Sequence, residues 1–415
     1  MTPQLTSTAD VRDALIERTE IAIVDVRDEA SFAEAHPLFA ASISLDRLAV
    51  DVPLRIPRRS TPIVLYDNGE GLVQPAASLL ISLGYTSVQA LDGGLAAWRD
   101  AGGELFRDVN VPSKAFGELV EATRHTPSIA AEDLKALVDS HADVVVLDAR
   151  RFDEFQTMSI PRGLSVPGGE LVYRVADIAP SPDTLVVVNC AGRTRSIIGA
   201  QSLVNAGIPN RVAALRNGTI GWLLAGLTLD HGRSGRFPPV SAEHAERARA
   251  SALAVANRAG VGRIPASLLT DWVTDPSGTL YRFDVRTPEE FAAGHRPGFR
   301  SAPGGQLVQE SDVFAPVRGA RIVLTDDDGV RANMAASWLA QMGWRVFVLD
   351  GDGSDEPFVI EKAATVVPKA PPGKAYKRPY EGTDNPRSAM QAYLDWEYGL
   401  VAQLERDGTH GFFVI

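Results

Sequence analysis

The chain has 415 residues, 45% of them hydrophobic and 22% charged, with a formal net charge of −11. That length exceeds one ordinary core and suggests about three domains, while the acidic balance argues against nucleic-acid binding, which needs a basic face. No apolar stretch approaches the ~20 residues of a membrane span, and the segment from Met1 to Asp10 has neither a basic start nor an apolar centre, so neither a membrane span nor a signal peptide is expected.

The first predicted strand closes with Val24-Asp25-Val26-Arg27, and Phe32 follows. A second strand leads to a loop at Asp67, then come an amphipathic helix through Ala77 and Leu80, a stop at Gly84 and a strand from Val88 to Leu91. Gly93-Gly94 and Trp98 end this unit near Phe106, and Asp108 to Pro127 reads as a connector with some helical character. The same series returns as Leu147-Asp148-Ala149-Arg150, Phe155, an apolar run Leu185 to Val188, a loop opening at Cys190, a helix from Ser196 to Ala206, Gly207, and a strand from Val212 to Leu215 before Asn217-Gly218 and Trp222. His231 to Pro239 leads into a bridging helix over Ser241 to Ala259. The third passage has Phe283-Asp284-Val285-Arg286, Phe291, Asp326, Ala336, Leu339, Gly343 and a strand from Val346 to Leu349; it keeps Asp350-Gly351 but has Glu356 where the tryptophan should fall. Lys362 to Pro379 is a Lys/Pro-rich linker. The tail from Asn385 to Phe413 shows helical spacing in Met390, Tyr393, Leu394, Leu400, Val401 and Leu404, which suits a terminal docking helix or an oligomer contact.

The spacing is constant. Each Phe comes seven positions after the Asp of its Asp-x-Arg, and Asp67, Cys190 or Asp326 comes 42 positions after it. The chain therefore divides into units at 1–107, 128–232 and 263–358, with 359–415 as linker and tail. Each alternates strands and helices around a parallel sheet. Because Asp25/Arg27, Asp148/Arg150 and Asp284/Arg286 recur whether or not a cysteine is present, they read as ion pairs bracing the sheet. Glu154 recurs as Glu290 but is Ser31 in the first unit, and reads as ambiguous or simply solvated.

Cys190 is the only cysteine. A lone cysteine is often a small buried hydrophobe, but this one sits where a strand meets a helix N-terminus, which favours an anion and should lower the thiol pKa. Gly192 would free the backbone to curl, and Arg193 and Arg195 would add positive charge. A functional free thiol suits the reducing cytosol. Seven histidines scattered without ligand spacing predict no metal. The absence of a Gly-rich phosphate loop predicts no nucleotide cofactor.

Together these residues resemble a tandem rhodanese-domain protein, a sulfurtransferase, over about residues 10 to 357. The likeness is most specific in Leu147-Asp148-Ala149-Arg150 with Glu154-Phe155, in Cys190 to Ser196, and in Leu91-Asp92-Gly93-Gly94 with Trp98. It implies three α/β rhodanese-like domains, each a mostly parallel sheet with helices on both faces, followed by a C-terminal helical tail. It also implies that Cys190 is the catalytic nucleophile and that Ala191, Gly192, Arg193, Thr194, Arg195 and Ser196 bind the substrate. The implied partners are a small anionic sulfur donor and a thiol or cyanide acceptor. Where the family usually resembles Gly-His-Ile-Pro-Gly-Ala, this chain has Met158-Ser159-Ile160-Pro161-Arg162-Gly163 and Gly294-His295-Arg296-Pro297-Gly298. The loop Cys-Ala-Gly-Arg-Thr-Arg differs from that of mercaptopyruvate users, and its arginines better suit thiosulfate. A cysteine phosphatase or arsenate reductase would share the loop-and-helix plan, but related phosphatases carry one more residue than the four between Cys190 and Arg195. With Asp67 and Asp326 at the cysteine position, the outer units should be inactive, their acidic loops repelling anions; a binding or scaffold protein is the other alternative.

Overall fold

Runs such as Ile21-Ala22-Ile23-Val24 and Val186-Val187-Val188 are apolar at every position, so the strands they form must be covered on both faces. In the computed structural model, which describes residues 3–350 and 375–415, each run lies in the middle of a parallel sheet. The first sheet contains β1 (Gln4–Thr6), β2 (Ile21–Asp25), β3 (Ala40–Ser42), β4 (Ile63–Tyr66) and β5 (Val88–Leu91). The second contains β6 (Ser128–Ile129), β7 (Val144–Asp148), β8 (Leu164–Ser165), β9 (Leu185–Asn189) and β10 (Val212–Leu215). The third unit supplies β11 (Gly262–Ile264), β12 (Leu280–Asp284), β13 (Arg300–Ser301), β14 (Val317–Arg318), β15 (Arg321–Thr325) and β16 (Arg345–Leu349).

The strand orders β1-β5-β4-β2, β6-β10-β9-β7-β8 and β11-β16-β15-β12-β13 are one topology used three times, with β3 completing the first sheet beside β2. The sequence repeat does not foresee β14. It leaves the third sheet and pairs antiparallel with β2 of the first, Val317 opposite Ala22. The first and third units accordingly share one apolar core, in which Val24 and Leu65 join Ile322 and Trp338.

Each Asp-x-Arg is a buried bidentate pair. Arg27, Arg150 and Arg286 fold back on Asp25, Asp148 and Asp284 at 2.6 to 2.7 Å, with every partner at most 6% exposed. The same guanidinium donates to a carbonyl eight residues on, at Ala35, Met158 or Gly294, and so closes the segment leaving the strand. Asp148 also accepts the Asn189 amide, tying β7 to the residue before Cys190.

The connector after the first unit is one long helix, Val111–Arg124, rather than a partly helical link, and nine of its residues are buried. Lys114 on this helix pairs with Asp108 at 2.7 Å. Its ammonium lies 5.2 to 5.9 Å from the ring centroids of Tyr380, Tyr393 and Trp396, all from the tail. The tail forms helices Arg387–Tyr398 and Leu400–Asp407. Its Met390, Tyr393, Leu394, Leu400 and Leu404 are buried within the chain itself, so the tail docks on its own chain. The chain end continues inward, where Phe412 meets Phe39 and Phe116 edge to face and the Phe413 N–H donates to the Gln341 carbonyl. Gly351, Glu356 and most of the Lys/Pro linker lie outside the described residues.

The second and third units meet through Gly168-Gly169 and Gly304-Gly305, which occupy equivalent positions in the repeat. A Cβ on Gly305 would stand 2.8 Å from the Gly169 nitrogen and 3.1 Å from the Gly168 Cα. Beside this contact Glu170 pairs with Arg331 across the interface at 3.0 Å. Backbone pressed on backbone has no flexible atom to yield. Gly305→Val should therefore destabilise the protein by about 1–3 kcal/mol, read as a lower urea midpoint; an unchanged midpoint would show that the units separate freely here.

Candidate active site

β9 delivers Cys190 to the carboxyl end of its sheet, and the helix Thr194–Ala206 begins beyond the loop. The loop is fixed from one side by the next turn: Thr219 and Ile220 donate their N–H groups to the carbonyls of Cys190 and Ala191, at 2.9 and 3.0 Å. Gly218 carries that turn at φ +55°, where a Cβ would fall 2.4 Å from the Cys190 carbonyl oxygen.

Cys190 is only 2% exposed. Burial pushes its thiol up, against the pull of the Arg195 charge and of the Ser196 N–H and hydroxyl, while Glu397 pushes it up further. The expectation of a lowered pKa is thereby corrected: desolvation outweighs the cation and the helix terminus. The tail covers the loop residues next to the thiol. Ala191 packs with Ile220 and with Tyr380, Met390, Tyr393 and Leu394. Gly192 does not have a positive φ; it is small because a Cβ there would meet Tyr393 at 3.1 Å and Glu397 at 3.2 Å.

The two arginines divide. Arg195 forms a bidentate pair with Glu154 at 2.8 and 2.9 Å. Burial alone would raise the Glu154 carboxyl, but the Arg195 guanidinium holds it down at about 2. Glu154 is thus an anchored partner, not a solvated acid. Arg193 corrects the expectation of an arginine cradle: it forms a bidentate pair with Glu118 of the connector helix at 2.7 and 2.9 Å, bonds Glu121, and donates to Asn217 and Tyr398. Its guanidinium ties the loop to the scaffold. The Thr194 methyl packs beside Gly117 of the same helix, and Ser196 is fully buried.

The outer units show what the loop requires. The Asp67 carboxylate accepts from the N–H groups of Gly69, Leu72 and Val73, and Asp326 accepts from those of Gly329 and Ala332. The backbone donor six residues on is common to all three loops, as Val73, Ser196 and Ala332. In the central unit the corresponding N–H, of Ser196, pulls the Cys190 pKa down. Asp326 is pushed well up by burial and by Asp328 beside it. Asp327 and Asp328 are paired with Arg331. Arg331 is thus shared among Glu170, Glu290, Asp327 and Asp328, and the loop's backbone donors are occupied by its own carboxyl group.

Arg331 stands at the position of Arg195 and pairs with Glu290, the counterpart of Glu154. The third unit has kept this pair without the thiol, while the first has Leu72 and Ser31 and has lost both members. The joint presence or absence of the two residues was the available sequence signal. Glu118, Lys114, Tyr393 and Glu397 gave none, because they lie outside the repeat.

A cavity of about 560 Å³ opens beside Arg195. Phe32 comes to it from the first unit, Glu154 from the second, Asp312 from the third and Tyr376 and Tyr380 from the tail. Among the described residues no helix is long and apolar enough to cross a membrane.

A family model described as the rhodanese-like domain matches residues 7–101, 130–225 and 269–354. The crystal structure of a thiosulfate sulfurtransferase from Pseudomonas aeruginosa is similar over 99% of this chain and 100% of its own, with a TM-score of 0.95 and 50% identity. The thiosulfate sulfurtransferase GlpE of Tolumonas auensis is 31% identical over 86 residues, 21% of this chain and 79% of that protein.

Glu154 sits below its unfolded pKa, so the stability it contributes is complete above the ordinary carboxylate range and is lost as pH falls toward about 2. The urea midpoint of wild type should exceed that of Glu154→Gln by a constant margin above about pH 5, and the margin should shrink below it. A margin independent of pH would show that the Arg195 pair does not hold this proton.

Proposed function

The chain belongs to the rhodanese-like domain family, and on that premise we propose that it is a thiosulfate sulfurtransferase whose sulfur is carried by Cys190 as a persulfide. The observation that carries the reading is the contrast at one loop position: the outer units place a carboxylate among the converging N–H groups, and the central unit places a thiol there. In the first half-reaction the Cys190 thiolate attacks the outer sulfur of thiosulfate. The new S–S bond forms as the old one breaks, and sulfite leaves with the bonding pair. In the second, a thiol or cyanide attacks the outer sulfur of the persulfide, and Cys190 leaves as thiolate.

Backbone N–H groups from Ala191 to Ser196 bind the anionic donor and the persulfide as a nest. Arg195, oriented by Glu154 and lining the cavity, neutralises the departing sulfonate. Arg193 acts through the loop, by holding it on the connector helix. The outer units are non-reactive supports, since Asp67 and Asp326 fill their own loops. A cytosolic location agrees with a working free thiol.

After exposure to thiosulfate, the intact mass of the wild type should rise by one sulfur atom and return when cyanide is added with release of thiocyanate. Cys190→Ser should show neither change. An unchanged wild-type mass with no thiocyanate would sink the enzyme reading in favour of a scaffold. Arg195→Met should lower kcat/KM for thiosulfate about 10- to 100-fold, the equivalent of one charge-assisted hydrogen bond of about 1–3 kcal/mol. A loss of under twofold would remove Arg195 from donor binding.

A further inference from the structure

One buried acid at the site has no part in that chemistry. Glu397, on the tail helix Arg387–Tyr398, is 1% exposed. One carboxyl oxygen, Oε1, accepts the Tyr393 hydroxyl at 2.8 Å. The other, Oε2, is buried without a hydrogen-bond partner among the described residues and faces the Cys190 loop, 3.2 Å from where a Gly192 Cβ would stand.

The surroundings leave this acid no cation of its own. From the connector helix it is faced by Lys114 and Glu118, from the loop by Arg193 and Cys190, and from its own helix by Tyr393. Lys114 is paired with Asp108, and Arg193 with Glu118 and Glu121. An unpartnered carboxyl in such a place is costly, and a glutamine or leucine would fill the volume without that cost. Burial pushes Glu397 up to about 8, with Lys114 pulling down and Glu118 pushing up. Burial raises Cys190 as well, and Glu397 adds to that rise, so the two groups act on one another.

We propose that Glu397 is the proton-holding group of the sulfur-transfer site, supplied to the central unit by the C-terminal tail. The inference rests on Cys190 being the sulfur carrier. As thiosulfate is attacked, the Cys190 S–H bond breaks, its proton passes to the Glu397 carboxylate, and its electron pair forms the bond to the outer sulfur. The resulting neutral acid adds no negative charge beside the persulfide. When the acceptor removes the outer sulfur, the Cys190 thiolate takes the proton back and the carboxylate is restored.

The test is single-turnover loading of Cys190 by thiosulfate, followed by intact mass across the neutral to alkaline range in wild type, Glu397→Gln and Tyr393→Phe. The wild-type rate should rise through about pH 8 as Glu397 loses its proton. Glu397→Gln should load on the order of a hundredfold more slowly at that pH, with its rising limb displaced upward to the titration of Cys190 itself. Tyr393→Phe removes a donor that favours the carboxylate, so it should keep the limb but move it upward; it tests the idea even if Glu397→Gln does not fold. A folded Glu397→Gln with the wild-type profile, or an unmoved limb in Tyr393→Phe, overturns the inference. Failure of the wild type to load at all would overturn the Cys190 reading instead.

Discussion

A strand that ends beneath a helix N-terminus leaves backbone N–H groups converging on one point, and each unit of this chain must put an acceptor there. The first and third units use the carboxylates of Asp67 and Asp326, which belong to the chain and never leave. The central unit uses the Cys190 sulfur, a weak acceptor when protonated and a good one as thiolate or persulfide. One geometry thus yields two closed loops and one that gains stabilisation when an anion arrives. The inactivity proposed for the outer units follows from occupancy, and no difference in fold is needed to explain it.

The second constraint is that a buried arginine at the start of the loop helix needs its carboxylate. Arg195 has Glu154, and Arg331 has Glu290. Leu72 and Ser31 show the remaining consistent solution, since removing one partner alone would leave an uncompensated charge. In the third unit Arg331 also reaches Glu170 of the second, so a residue equivalent to one at the active site has become a strut between units.

The central site is built by more than its own unit. The connector helix holds Arg193 through Glu118 and the tail through Lys114, whose ammonium sits among three tail rings. Because the tail covers Ala191 and Gly192, the thiol is buried and its pKa rises, the reverse of what the local sequence implies. A cation beside a cysteine lowers its pKa, as Arg195 does for Cys190, but desolvation raises it by more. Here Arg193 is neutralised by Glu118 and Glu121, and apolar rings replace the water.

How much of this could be read from the residues follows from where each signal resides. The repeat made the three sheets legible, and the constant interval from Asp25, Asp148 and Asp284 to Asp67, Cys190 and Asp326 located the loop and its odd member. Asp-x-Arg was legible as an ion pair because it recurs with and without the cysteine. Those features depend on contacts within one unit, where chain spacing sets which side chains meet. The sheet addition of β14, the diversion of Arg193 to Glu118, the burial of Cys190 and the approach of Glu397 to Gly192 depend on contacts between segments far apart in the chain. Periodicity and spacing carry no information about such meetings. The amino-acid sequence by itself determined which loop carries the cysteine; only the packing of three units and a tail decided what surrounds it, because desolvation and charge pairing are properties of neighbours in space.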